Sequence, residues 1–372
     1  MINSSNPMSE ILPAERQKLQ LLRCSLDLAN KPEDYDARLN FSVQLFRSGH
    51  QKQGLQHMTA LVREFPTHLT AIFNLGVMLQ KLLRFSEAAS VYARVLKINP
   101  SYVDAWINMA GICSKFGYND KSRAAWKRVL ILQPDNEMAK HMFLALSNSQ
   151  PTIQCEAQNI CSPSSQMPIS MIEGIFDEYA ANFDDHLEQE LDYRTPKQLI
   201  SLLQTNEVKR FGLDLGCGTG LSGMEIRPYV EHLVGSDISE KMLRQASQKN
   251  TYDQLWHLDN EHALNRSASL GLPWDMVTAV DVFPYTGDLD TIFNLVASLL
   301  VPKGSFLFSV EAVGLCAKPY RLLPTGRYAH SLSYLRDRLP QYKFSIEKIK
   351  AAPIRRHRDG LIDGYLVHCK KR

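Results

Sequence analysis

Apolar and small residues along the first half of the chain follow two superimposed periods. Within a segment they fall at helical spacing: Ile72, Leu75, Gly76 and Leu79, then Ala88, Tyr92 and Val95. Between segments the pattern returns after 34 residues. Trp106, Met109, Ala110 and Cys113 lead to Ser122, Trp126 and Val129, and upstream Arg38, Phe41, Ser42 and Leu45 lead to Gly54, Met58 and Leu61. Prolines at positions 32, 66, 100 and 134 close each unit. A fixed period of this length predicts a two-helix repeat. Proline lacks an N–H and restricts the residue before it, so it ends the second helix. Gly76 and Ala110, with Ala88 and Ser122, are small where two helices must approach closely, whereas Tyr92, Trp106 and Trp126 fill gaps between hairpins. Arg38 and Gly54 depart from the pattern in the first repeat. A helix over 10–29 precedes the array. Another, over 136–146, is expected to cover the open face of the last hairpin, since such arrays need caps.

The pattern then changes. Residues 148–168 are rich in Ser, Pro, Gln and Asn, with Glu156 the only charge, and read as a linker. The organisation predicted is a helical repeat domain over 1–147, a linker over 148–168 and a second domain over 169–372. In that domain short apolar runs at 211–215, 232–237, 252–259, 274–285, 305–312, 344–350 and 360–370 read as strands, with a helix over 288–300 and a turn at 302–304. Phe176, Tyr179, Ala180 and Phe183 repeat at helical spacing ahead of them. The fold class is thus an α-solenoid followed by an α/β domain, a Rossmann-like sheet of seven strands.

Composition narrows the partners. The 372 residues carry a net charge of +3, with 44% hydrophobic and 22% charged residues, ordinary for a soluble globular protein. The charge is uneven: residues 170–193 hold eight acidic side chains and no Lys or Arg, whereas 343–372 hold nine basic and three acidic ones. The basic end reads as a solvated edge strand protected by charge, so nucleic acid is not an expected partner. Seven scattered cysteines form no CxxC pair and the histidines no HExxH, so no metal site or disulfide framework is indicated. With no 18-residue apolar run and no basic-then-apolar leader, a cytoplasmic protein without a membrane span is expected.

The chemistry is concentrated in FGLDLGCGTG (211–220). An apolar strand runs into glycines 216, 218 and 220, a helical segment follows, and Asp237 closes a second apolar run. This is the plan of a nucleotide-binding βαβ unit. A dinucleotide enzyme needs a helix N-terminus for a pyrophosphate; the acid Asp214 two residues before the first glycine suits a ligand with a cationic amino-acid end instead. DLGCGTG resembles motif I of the class I S-adenosylmethionine-dependent methyltransferases. The resemblance implies a cofactor site at Asp214, Leu215, Gly216, Cys217, Gly218 and Gly220, with Asp237 and Ile238 at the ribose and Asp259 and Asn260 at the adenine. Asp281–Tyr285 would line the methyl-transfer site, and Tyr179 and Arg194 would reach the methionine end. The 34-residue units resemble the tetratricopeptide repeat. FDEYAANFDDHL, LDYRTPKQL, DLDTIFN and GRYAHSLSYL together resemble predicted bacterial methyltransferases with tetratricopeptide repeats ahead of the catalytic domain. An insertion, NRSASLGLP (265–273), and Pro284 depart from that family.

Methyl transfer is mainly a positioning problem, aided by a base when the acceptor is a hydroxyl or an ammonium. His330 and Asp281 are the candidate bases, Tyr285 a group to orient the acceptor, and Arg327 a partner for an anionic substrate. A small-molecule or carrier-bound acceptor is the first reading. The second is a protein methyltransferase whose repeats recruit its substrate. The third is a non-catalytic interaction protein with a cofactor-binding fold. The repeats would bind a protein or peptide in their groove, or pair two subunits in a homodimer.

Overall fold

Six helices of the first half form two series whose members start and stop 34 residues apart. Helices α2 (Tyr35–Arg47), α4 (Leu69–Lys81) and α6 (Val103–Lys115) alternate with α3 (Gln51–Glu64), α5 (Phe85–Ile98) and α7 (Asn119–Leu132), and α1 (Pro13–Asn30) precedes them. The computed structural model describes residues 13–147, 165–180, 183–185, 193–203, 207–314, 318–357 and 360–372. It divides into two compact units, Met1–Ala139 and Lys140–Arg372. The array is compatible with a solenoid. Met58, Leu61, Ile72, Tyr92 and Val95 are all at or near zero exposure in its core. The departures at the first repeat have local reasons: Arg38 pairs with Glu64 at 2.7 Å, and Gly54 lies where a Cβ would stand 2.7 Å from the Phe46 amide nitrogen. Trp106 is half-buried, with its indole N–H donating to the Pro100 carbonyl at 2.9 Å. At Gly76 an added Cβ would stand 2.6 Å from the ring of wholly buried Tyr92. Gly76→Ala is therefore expected to cost about 1–3 kcal/mol by overpacking, read as a lowered midpoint in denaturant titration of the full chain.

The unit boundary falls inside α8 (Glu137–Ser147), the helix expected to cap the repeats. From Lys140 onward it packs in the second unit: His141 Nε2 is 2.7 Å from the Gly326 carbonyl oxygen. Of the expected linker, 148–164 lies outside the described residues. Residues 165–167 pair with 285–287, through Met167 N–H to the Tyr285 carbonyl at 2.9 Å and Gly287 N–H to the Ser165 carbonyl at 2.6 Å.

In the second unit a seven-stranded sheet has the order β3-β2-β1-β4-β5-β9-β8. Strands β1 (Lys209–Leu215), β2 (Val230–Asp237), β3 (Gln254–His257), β4 (Trp274–Ala279) and β5 (Leu300–Glu311) pair in parallel. The hairpin β8 (Phe344–His357) and β9 (Gly360–Lys371) joins β5 antiparallel through β9. The turn expected at 302–304 interrupts β5. Trp274 faces Leu300 and Met276 faces Ser305, so residues 301–304 loop out, with Lys303 left-handed at φ 65°. Buried apolar side chains of β1, β4 and β5, including Leu213, Val277, Phe306 and Phe308, form the core with Phe293 and Leu335.

Three elements differ from expectation. The third strand is short: Asp259 caps helix α13 (Asn260–Leu270), so the expected 265–273 insertion is mostly helix, closed by left-handed Gly271. The fourth strand ends at Ala279, because Asp281 takes φ 58° and Phe283–Tyr285 form a 3-10 turn. An added ribbon, β6 (Tyr320–Leu322) and β7 (Tyr328–His330), precedes α15 (Leu332–Gln341). Among the described residues no helix is long and apolar enough to cross a membrane.

Candidate functional site

The carboxyl ends of β1 and β2 build the first half of the site. Gly216, Gly218 and Gly220 take φ values of 61°, 55° and 92°, open to glycine at little cost. They do different jobs. A Cβ on Gly216 would stand 2.6 Å from Val282 Cγ2, and one on Gly220 would stand 3.3 Å from the Tyr252 ring. Gly218 is the least crowded of the three, a Cβ there meeting the Phe183 ring at 3.9 Å. Two of the three glycines thus answer to packing from behind the loop, and the middle one lies under Phe183 of the leading segment. Between them, Cys217 is buried and its N–H donates to the Ser236 carbonyl at 2.9 Å. Leu215 is wholly buried.

Asp237 ends β2 beside this loop. Its Oδ2 accepts from the Gly218 N–H at 2.9 Å and its Oδ1 from the Ser239 N–H at 2.8 Å. Burial pushes its carboxyl up to about 6, against the pull of the Ser239, Gly218 and Ile238 amides. Ile238 is half-buried, and its carbonyl lies 2.8 Å from His257 Nε2.

Asp214 does not fit the role of a direct ligand. Its carboxylate is wholly buried and accepts hydrogen bonds from the hydroxyls of Ser222 at 2.6 Å, Thr278 at 2.7 Å and Tyr252 at 2.7 Å. Asp259 is likewise engaged, by the His262 N–H at 2.9 Å and His262 Nδ1 at 2.7 Å. Half-buried Asn260 opens the helix that Asp259 caps.

The leading segment crosses the loop. Asp184 bonds the Thr219 hydroxyl and pairs with Lys249 at 2.6 Å, and Asp177 accepts from Ser239 Oγ at 2.6 Å beside Lys241. Its acidic charge thus has specific partners on the cofactor side. Tyr179, expected on its apolar face, is 47% exposed at the end of helix α9 (Ile169–Tyr179). Exposed Arg194 precedes the short helix Thr195–Ile200.

Beyond β4 and β5 lies a four-member ion network. Glu311 Oε1 lies 2.6 Å from Arg327 Nε and 2.7 Å from Arg355 Nη2, while Asp281 gives one oxygen to each arginine at 3.1 Å. Arg327 also donates to the Tyr285 hydroxyl at 3.0 Å. Glu311 is only 3% exposed. Burial opposes the Arg327 charge, but Tyr285, Glu311 and Asp281 outweigh it and raise the guanidinium above its ordinary value. Burial pushes the Tyr285 and Tyr193 hydroxyls up, Tyr193 lying in the fields of Asp281 and Arg355.

This arrangement corrects the expected catalytic roles. Arg327 is spent on Glu311, Asp281 and Tyr285 rather than presented to an anion. Asp281 gives one oxygen to each of two guanidiniums, an ion-paired carboxylate rather than an unpaired base. His330 is wholly buried, with Nε2 2.9 Å from the Gly287 carbonyl, so that nitrogen carries the proton. Burial drops it to about 4. It holds β7 to the β4 exit loop. His330→Ala is expected to lower stability by about 2–4 kcal/mol through a cavity and an orphaned carbonyl. Turnover below the melting range should fall less than tenfold, whereas loss of a true base costs about 100- to 10,000-fold; steady-state rates paired with thermal unfolding separate the two.

Residues 213–306 match the family model described as a methyltransferase domain. The second unit is a Rossmann-like methyltransferase fold with a mostly parallel sheet. No curated protein matches the chain in sequence. Among solved structures, the N-methyltransferase NodS from Bradyrhizobium japonicum WM9, in complex with S-adenosyl-L-homocysteine, is 18% identical at a TM-score of 0.43, covering 54% of this chain and 97% of that one. Magnesium protoporphyrin IX methyltransferase from Synechocystis PCC 6803, with bound S-adenosylmethionine, is 19% identical at 0.41, covering 55% and 97%. A S-adenosylmethionine-dependent methyltransferase from Clostridium acetobutylicum ATCC 824 is 17% identical at 0.39, covering 53% and 99%.

Proposed function

We propose that the protein is an S-adenosylmethionine-dependent methyltransferase acting on a small-molecule or carrier-bound acceptor, with its tetratricopeptide-like repeats serving protein interaction or subunit pairing. The observation that carries this reading is the glycine loop beside two acids. Gly218 is the least crowded glycine of the loop, Asp237 ends β2 with its carboxylate against the loop's amides where ribose hydroxyls would meet it, and buried Asp214 supplies negative charge beneath a cationic ligand. The cofactor is S-adenosylmethionine, whose sulfonium methyl is already electrophilic when bound. The chain's own residues bind and orient. Asp237 fixes the ribose, Cys217 and Gly218 supply the backbone floor, and Phe183 with Asp184 covers the loop. The Asp281–Tyr285 turn, tied by Arg327 and Arg355, forms the acceptor end. His330 is buried and Asp281 is ion-paired, which favours an acceptor atom that arrives already deprotonated. Titration calorimetry of the full chain with S-adenosylmethionine tests the cofactor, and absence of binding would favour a non-catalytic interaction protein.

The helical repeats support a second reading, a protein methyltransferase that captures its substrate through them. Removing residues 1–139 separates the two. A small-molecule enzyme keeps its turnover, whereas a repeat-recruited protein substrate is no longer methylated. The cut belongs before Lys140, because His141 is bonded within the catalytic unit.

A further inference from the structure

Tyr252 appears in no motif, yet three glycines are arranged around it. It lies between helix α12 (Glu240–Gln248) and β3, beside Asp253, which accepts from the Leu233 N–H at 2.7 Å and pairs with Arg227. The chain is thereby pinned to β2 and the ring is turned inward. A Cβ on Gly235 would stand 2.8 Å from the ring, one on Gly220 3.3 Å, and one on Gly223 would collide with the phenol outright. The hydroxyl donates to Asp214 Oδ2 at 2.7 Å.

This places the phenol directly behind the cofactor loop, touching the residues that shape it. A carboxylate closed off from water is costly unless its lone pairs are satisfied. Asp214 meets that cost with three hydroxyl donors, two of which, Ser222 and Thr278, stand on the elements flanking the loop. Tyr252 is the third, and the only one that also fills the space the glycines leave.

We infer that Tyr252 is a positioning residue for the cofactor: it braces the Gly220–Gly223 turn and holds the Asp214 carboxyl in place beneath the loop by a hydrogen bond, facing the cationic end of S-adenosylmethionine. The inference rests on the cofactor reading above. The groups facing Asp214 are the three hydroxyls together with Asp237, Cys217 and Tyr193. Burial raises the Asp214 carboxyl, and Ser222, Thr278 and Tyr252 pull it back. Without the phenol donor its proton is held more tightly.

The test is titration calorimetry of the full chain with S-adenosylmethionine from pH 6 to 9, for the wild type, Tyr252→Phe and Ser222→Ala, beside thermal unfolding of each. Tyr252→Phe keeps the ring and removes one hydrogen bond to a charged group. It is expected to weaken binding about tenfold or more at pH 7. Ser222→Ala, which removes a donor without touching the ring, should err in the same direction and stands in if Tyr252→Phe does not fold. A Tyr252→Phe protein with a lowered melting temperature but wild-type affinity at every pH would overturn the inference, leaving Tyr252 a packing residue. Wild-type protein that binds no S-adenosylmethionine would overturn the cofactor reading and this inference with it.

Discussion

Asp237→Asn is expected to weaken S-adenosylmethionine binding by about 100-fold or more, the scale of two hydrogen bonds to a charged acceptor. An asparagine offers one acceptor where the ribose needs two, and its amide nitrogen meets the N–H of either Gly218 or Ser239 as donor against donor. The same substitution should not weaken the cofactor-free fold at neutral pH to a matching degree. Burial holds the native Asp237 carboxyl at about 6, against an ordinary 3.8. A carboxyl raised in the folded state binds more protons folded than unfolded between those values. Its contribution to stability is therefore full below about pH 4 and is lost as pH rises through about 6, by about 3 kcal/mol. Cofactor binding runs the other way, because the ribose hydroxyls need the ionised acceptor, so affinity should fade as pH falls through about 6. Calorimetry between pH 5 and 8, with unfolding of the unliganded protein from pH 4 to 7, measures both. The difference between wild type and Asp237→Asn isolates this group from other acids. Equal affinity in the two proteins would remove Asp237 from the cofactor site.

The glycine loop and its neighbour Asp237 were legible in the sequence for a local reason. Glycines with left-handed φ and an acid at a strand end are backbone requirements, and backbone requirements are local. Gly216, Gly218, Gly220 and Asp237 lie within one βαβ unit, so spacing alone brings them together. What the spacing does not contain is the reason for each glycine. That Gly216 answers to Val282 and Gly220 to Tyr252 depends on side chains that arrive from other strands. The acceptor half was less legible for the same reason. Asp281, Glu311, Arg327 and Arg355 come from four separate stretches, and pairing among them cannot be read from a window of any length. Glu311 was visible only as one acid inside an apolar run. Arg355 sat in a basic stretch whose average character suggested a solvated edge. His330 looked like a base because histidines in such loops often are; its depth and its bond to the Gly287 carbonyl belong to the ribbon, which was not anticipated. The helical half shows the opposite case. A period fixed by contacts between neighbouring hairpins is written into every repeat, and the helix boundaries follow it from one repeat to the next.

Arg355→Met should be the most destabilising single change in the second unit. With four charges the network is neutral: two carboxylates and two guanidiniums, packed at 4% to 16% side-chain exposure. Losing one guanidinium leaves Glu311 and Asp281 to share Arg327, and an uncompensated buried charge costs about 3–5 kcal/mol. For a unit of this size that lowers the melting temperature by roughly 10 °C. The methionine stem replaces much of the lost arginine packing, so most of the loss is electrostatic, and this is checkable. Arg355→Met combined with Glu311→Gln removes one charge of each sign. The double variant should therefore recover part of the stability, less destabilised than the two single changes added together. A simple sum would mean that the two side chains do not act as a pair. The network ties the Asp281–Tyr285 turn to β5 and β8, and Val282 of that turn packs beside Gly216, so the single variant should lose methyl transfer more than S-adenosylmethionine affinity. Weakened cofactor binding in step with lost transfer would instead place the network at the cofactor.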